Sequence, residues 1–339
     1  MKAAFAKAPF LVELRDIPQP TPGQGEVLVK IGACGVCGTD VHVAEKQASD
    51  EFMALGHEIG GTIEEIGPGV DGLGVGDRVV VENSSPCGRC YPCKNGDPER
   101  CESFLHLSGQ PGMAEYISAP ARSAIPCGEM EFAEIALSEP LTVALHVTTT
   151  ADVSFDSDVV IMGPGPIGLM AVKLARRMGA RRIFLAGRSH SKKRLELGAN
   201  LGADEIIEMD KQDLVEAVLR QCPKGVQRAI VTTTPPTLPQ AFKLMGYGGV
   251  VAFIGIDWGG EQMISFDANE FHFKKLQLRA SHAVPNSFFP IALDMVRRKE
   301  IDAGRFITHT FPLSSVGTAI NTAAFDKESA VKVMVDCLR

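Results

Sequence analysis

The segment "CGRCYPCKNGDPERC" places Cys87, Cys90, Cys93 and Cys101 at C-x2-C-x2-C-x7-C spacing. Two-residue spacers let successive thiolates converge on one tetrahedral ion, and the intervening Gly, Pro, Asn and Asp supply the tight turns. Four thiolates leave no position for substrate, so a structural zinc is expected here. A ferredoxin-like iron–sulfur cluster shares the C-x2-C-x2-C opening, but the C-x3-C-P continuation is missing, which favours zinc. A second stretch, "GACGVCGTDVH", carries Cys34, Cys37, Thr39 and His42. Cys34 and Cys37 form C-x-x-C, yet no βαβ unit begins there as a thioredoxin-like redox pair would need, so Cys34 is expected to be a packed thiol. Further along, "LGHEIGG" supplies His57 and Glu58, and "LSEPLTVALHV" supplies Glu139. A thiolate, an imidazole and a carboxylate suit a zinc site with room for an exchangeable ligand. His106, His146 and His309 are read as structural.

A third motif binds phosphate by its shape. In "VVIMGPGPIGLMAVKLARRMGA" the glycines Gly163, Gly165 and Gly168 form G-x-G-x-x-G between an apolar strand and an amphipathic helix. In that context the first glycine makes the turn, the second admits a pyrophosphate and the third lets helix and strand approach. The turn through Gly163, Gly165, Pro166, Ile167 and Gly168 is therefore the candidate cofactor contact, with helix amides facing the anion. An NAD site usually ends its second strand in an acid that accepts from the ribose 2'-hydroxyl. "RRIFLAGRS" ends instead in Gly187, Arg188 and Ser189, with Lys192 close behind. A 2'-phosphate would meet a guanidinium there, so NADP is expected over NAD.

These groups need two kinds of scaffold. Residues 1 to about 140 are rich in Gly, Pro and short β-branched runs ("EVLVKIGA", "GGTIEEIG", "GDRVVVE", "AEYISAP") divided by turn signals, which predicts strands. From about residue 158, apolar runs ("DVVIMG", "RRIFLAG", "DEIIEM", "RAIVTT", "GGVVAFIG") alternate with helical segments, which predicts a parallel sheet covered by helices. "VKVMVDCLR" reads as a closing strand. At 339 residues two domains are the default. A net charge of −7 argues against a nucleic-acid surface, and no apolar run approaches the roughly 20 residues of a membrane span. The opening "MKAAFAKAPFLVELRD" lacks a signal peptide's long apolar block and reads as a strand, so a cytoplasmic location is expected. Seven of the nine cysteines fall within the first 127 residues, a clustering that fits metal ligation better than a disulfide framework.

Together, "GVCGTDVH", "GHE", the four-cysteine loop, "GMAEY", "EPLTVALH", "GPGPIG" and "ITHTFPL" resemble, over nearly the whole chain, the zinc-dependent medium-chain alcohol dehydrogenases. The polyol (sorbitol-type) and threonine dehydrogenase branch is the most similar. The resemblance implies an α/β chain. A GroES-like β-rich catalytic domain comprises 1–143 and 281–339, with a Rossmann dinucleotide-binding domain (144–280) inserted in it. It further implies catalytic zinc on Cys37, His57 and Glu58, with Glu139 bound directly or through water where ethanol-type members carry a cysteine. Thr39 and His42 match the family's proton relay. The implied reaction moves a hydride between a secondary alcohol and NAD(P), the alcohol being a polyol, a sugar derivative or a hydroxy-amino acid such as threonine. A homotetramer or homodimer is implied, with a small-molecule substrate as partner. Zinc's role would be to lower the pKa of a bound alcohol, leaving a hydroxyl and a histidine to carry the proton by a separate route. Two departures from the family pattern stand out. The segment between His42 and His57 is short and lacks the usual proline before "LGHE", and the loop after Gly187 is about two residues longer than the common form. The competing reading is a non-catalytic zinc- and dinucleotide-binding protein of the same fold.

Overall fold

Strand Glu26–Gly35, with buried residues on both faces, organises the first half of the molecule. In the computed structural model, which describes all residues except 47–49, 108, 258, 283, 285 and 286, this strand has three neighbours. Glu58–Ile66 runs antiparallel along one edge, Tyr116–Pro120 pairs with its first half, and Lys332–Asp336 pairs with its last residues. The seven-stranded sheet is completed by Arg78–Val81, Ala124–Pro126 and Ile307–Pro312. The expected closing strand is thus Lys332–Asp336, buried over its first four residues because it lies inside the sheet and not at its rim. Residues 47–49 of the short segment before "LGHE" lie outside the described residues.

Contacts divide the chain into two units: Met1–Thr142 with Ala283–Asp326 and Lys332–Arg339, and Val143–His282 with Lys327–Val331. Within the second unit, Lys327–Val331 is tied by Lys193 N–H to Glu328 O (3.2 Å) and Arg194 Nε to Ala330 O (2.7 Å). Helix Phe132–Thr150 crosses the boundary between the units. Its start is seated on the first unit's sheet by two glycines. A Cβ on Gly32 would stand 2.2 Å from the Phe132 ring, and one on Gly60 would stand 2.5 Å from Phe132 O. Bare backbone at both positions lets the helix bring Glu139 down to the sheet.

The second unit is a six-stranded parallel sheet ordered Glu205–Glu208, Arg182–Gly187, Asp158–Met162, Val226–Val231, Met245–Phe253, Gln277–Ala280. Numbered along the chain this is the doubly wound 3-2-1-4-5-6 order, whose ligand crevice lies outside the carboxyl ends of the strands where the order reverses. The five apolar runs form the first five strands, and the sixth was not anticipated. "QLRA" is a short edge strand, largely exposed, and carries no apolar run to betray it. No helix among the described residues is long and apolar enough to cross a membrane.

Candidate metal centres and cofactor turn

Cys37 sits at the turn between strand Glu26–Gly35 and helix Gly38–Lys46. Asp40, in the helix's first turn, accepts from the Cys37 N–H through Oδ2 at 2.8 Å, as the acid of a capping box does. Its other oxygen accepts from the Gly56 N–H, also at 2.8 Å. One buried carboxylate therefore ties the turn that carries Cys37 to the turn that carries His57. Sequence reading missed Asp40, although an acid three residues after a helix start was a usable signal. Gly56 adopts φ +91°, and a Cβ there would stand 2.5 Å from Met113 N and 2.7 Å from Cys34 Sγ. The "GHE" and "GMAEY" motifs are thus in backbone contact. Cys34 lies beneath them, its thiol pushed well up by burial, as expected of a packed thiol.

The donor atoms of Cys37, His57 and Glu58 all lie within 4.8 Å of one another. Tetrahedral zinc with bonds of about 2.0–2.3 Å spaces its ligand atoms by about 3.3–3.8 Å, so a soft thiolate, an imidazole and a carboxylate fit the ion with small adjustments. Glu58 begins its strand opposite Gly35. A Cβ on Gly35 would stand 1.9 Å from Glu58 Oε2, so only glycine leaves room for this carboxylate. Lys332 approaches it from the C-terminal strand, donating to Glu58 Oε1 at 2.6 Å and Val36 O at 2.9 Å, and pairing with Glu58 Oε2 as well. Both side chains are buried. Sequence reading missed Lys332 too, since a lysine opening an apolar strand reads as an exposed end.

Glu139 is not within that 4.8 Å set, but it is buried and its charge acts on His57 and Lys332. Without metal, burial pushes the Glu139 carboxyl up to about 7, against the pull of His57. Burial also disfavours the His57 cation, but Cys37, Asp40 and Glu139 outweigh it and hold its pKa well above the usual imidazole range. An excess of negative groups around one imidazole and one ammonium is the electrostatic signature of a cation's seat. Cys37 Sγ donates to Thr39 Oγ1 at 3.7 Å, so the threonine hydroxyl lies at the edge of the cluster. His42 is half-buried further along the same helix.

The four-cysteine loop gathers as its spacing predicts. The Cys87, Cys90, Cys93 and Cys101 sulfurs lie within 4.8 Å of one another, with Cys90 Sγ 3.4 Å from Cys93 Sγ and 3.9 Å from Cys101 Sγ. The sulfurs of tetrahedral tetrathiolate zinc lie about 3.8 Å apart. Backbone amides point at them: Arg89 and Cys90 N–H at Cys87 Sγ, and Cys87 and Ser103 N–H at Cys101 Sγ. Those amide bonds lower the Cys87 thiol to about 6, whereas desolvation pushes Cys93 up to about 12. The three histidines read as structural have hydroxyl partners: His106 with Ser84, His146 with Ser281 and His309 with Thr308.

In the second unit the glycine turn divides its labour as the motif requires. Gly163 has φ +111°, and a Cβ there would meet Thr232 Oγ1 at 2.5 Å. A Cβ on Gly168 would lie 2.0 Å from Gly163 O, so helix and strand touch at that point. A Cβ on Gly165 would meet nothing within 4 Å, leaving open space where a pyrophosphate belongs. Gly165 caps helix Pro166–Arg177, with Pro166 in its first turn and Ile167 next. Past strand Arg182–Gly187, Arg188 and Lys192 are exposed. Ser189 is engaged: its N–H and hydroxyl donate to Asp210 at 2.7 and 2.6 Å. Asp210 is a third residue that sequence reading missed.

The chain is similar over most of its length to known proteins. Residues 23–129 match the alcohol dehydrogenase GroES-like domain, and residues 166–298 match the zinc-binding dehydrogenase family. Sorbitol dehydrogenase of Bacillus subtilis (strain 168) is 30% identical over 99% of this chain and 97% of its own. L-idonate 5-dehydrogenase of Vitis vinifera is 31% identical over 93% of this chain and 89% of its own. Among solved structures, an alcohol dehydrogenase of Escherichia coli CFT073 complexed with NADH superposes with TM-score 0.89 at 27% identity, covering 99% of both chains. A zinc-binding dehydrogenase of Sinorhizobium meliloti 1021 bound to NADP gives 0.88 at 29%, also over 99% of both. With its GroES-like β unit, its doubly wound sheet and its two clusters of side chains that could hold a metal, the chain belongs to the zinc-dependent medium-chain alcohol dehydrogenase family, and sorbitol dehydrogenases are among its relatives.

Proposed function

We propose that this protein transfers a hydride between a secondary alcohol and NAD(P), the alcohol being a polyol, a sugar derivative or a hydroxy-amino acid such as threonine. The observation that carries the reading is the convergence of Cys37, His57 and Glu58 donor atoms within 4.8 Å, in a chain that also holds an open glycine turn at Gly165. Cys37, His57 and Glu58 hold the catalytic zinc, Glu139 stands by as a further carboxylate, and Cys87, Cys90, Cys93 and Cys101 hold a structural zinc. Bound at the first site, zinc supplies Lewis-acid activation of a hydroxyl or carbonyl oxygen. The Thr39 hydroxyl, 3.7 Å from Cys37 Sγ, takes the substrate proton, and His42 passes it on towards solvent. The turn from Gly163 through Gly165, Pro166 and Ile167 to Gly168 receives the pyrophosphate. Arg188, Ser189 and Lys192 form the candidate cofactor contacts beyond the second strand, where Arg188 favours NADP. The protein acts in the cytoplasm as a homodimer or homotetramer.

Metal analysis and a substrate panel test this together. Two zinc ions per chain are expected, with turnover on one or more of polyols, secondary alcohols and threonine assayed with NADP and NAD in parallel. One zinc held by the four-cysteine loop, with inactivity across the panel, would support a binding protein instead. A strong preference for NAD would overturn the assignment of Arg188.

A further inference from the structure

The end of the second strand lacks the acid that NAD sites use, yet a carboxylate stands beside it. Strand Glu205–Glu208 pairs in parallel with Arg182–Gly187, placing Glu208 opposite Gly187, and Met209 N–H donates to Gly187 O at 2.9 Å. That register delivers the next residue, Asp210, to the turn after Gly187. Its two oxygens accept from both donors of Ser189, the N–H at 2.7 Å and the hydroxyl at 2.6 Å. Two short bonds to a charged acceptor make a firm clamp. Lys211, next in the chain, is the neighbouring cation that acts on it. Lys211 pairs with Glu208, and Arg188 is exposed with no ion-pair partner among the described residues.

We propose that Asp210 is a cofactor-selectivity residue, supplying from the third strand the carboxylate that the second strand lacks and acting against a 2'-phosphate that Arg188 would attract. The inference rests on the reading of this turn as the dinucleotide site. A ribose hydroxyl can donate to the Asp210 carboxylate, whereas a phosphate dianion can only be repelled by it. The same phosphate would also compete with Asp210 for the Ser189 donors. Arg188 and Asp210 therefore pull in opposite directions, and Asp210 narrows the NADP preference that Arg188 alone would give.

Direct binding of NADH and NADPH to the zinc-loaded wild type and to the Asp210→Asn, Asp210→Ala and Arg188→Ala variants tests this without turnover. Asp210 is exposed, so neither replacement opens a cavity. Removing a like charge a few ångströms from a dianion should tighten NADPH roughly tenfold. NADH should change by no more than about threefold or weaken, since it loses at most one exposed hydrogen bond. Arg188→Ala should shift the ratio the other way. The Asp210 effect should shrink at high salt, as an exposed charge requires. An unmoved NADPH-to-NADH ratio in both Asp210 variants, with only a lowered melting temperature, would make Asp210 a strand tie and overturn the proposal. If neither dinucleotide binds the wild type, the reading of the turn falls as well.

Discussion

Replacing Lys332 by methionine keeps an apolar stem of similar length and removes one charge from the metal cluster. Lys332 and Glu58 are 3% and 1% exposed, and the ammonium donates to Glu58 Oε1 at 2.6 Å. Glu139 and Asp40 are also buried nearby, and both act on the same cluster. The variant would leave Glu58 buried among carboxylates with the His57 imidazolium as its remaining cationic neighbour and its ammonium partner gone. Breaking a buried ion pair from one side costs about 3–5 kcal/mol, most of it the penalty of the stranded partner. Metal-stripped Lys332→Met is therefore expected to lose about that much stability near neutral pH. Glu58→Gln/Lys332→Met removes both charges and should recover most of the loss, giving a coupling well above 1 kcal/mol. Added zinc should narrow the deficit, because its charge replaces the missing ammonium at Glu58. The assay is urea denaturation followed by circular dichroism. With two units, the fit applies to the transition that zinc shifts. A loss below about 1 kcal/mol, or a double variant whose loss equals the sum of the singles, would refute the claim that the pair is a buried, interdependent one.

Gly35→Ala places a Cβ 1.9 Å from Glu58 Oε2, so it should displace that carboxylate. The chain should then keep the four-cysteine zinc and lose the other, as metal analysis after dialysis would register. Cys101→Ser should do the reverse and lower thermal stability, since Cys101 Sγ is one of the four clustered sulfurs and accepts from two backbone amides. Glu139 titrates near 7 in the folded metal-free chain against 4.5 ordinarily. Between those values the unfolded chain has released its proton and the folded chain has not, so this group's contribution to stability falls as pH rises. Metal-free Glu139→Gln should accordingly gain on the wild type by up to about 3 kcal/mol from pH 4.5 to 7 and stay level above. A difference that does not change with pH would show the carboxyl to be solvated.

The chemistry itself was legible in the chain. Metal-ligand spacing and the glycine fingerprint are local patterns, and local backbone physics makes each work. Cys87 to Cys101 gather because short spacers and turn residues bring them round. Gly163, Gly165 and Gly168 divide their labour across a single strand-to-helix turn. The two scaffolds were legible for the same reason, since half-buried and fully buried strands leave different periodicities. What the sequence left dark are residues whose roles depend on partners distant along the chain. Lys332 reads as an exposed strand end until register sets its strand beside that of Gly35, across which Glu58 lies. Asp40 reads as a helix-start acid, and only folding supplies its second donor, Gly56 N–H. Asp210 follows a strand with no nucleotide signature and reaches Ser189 only through the parallel pairing of Gly187 with Glu208. A ligand's type and spacing can be written in a dozen residues. The charges that balance it come from whichever strands the sheet makes neighbours, and that pairing is a property of the tertiary structure alone.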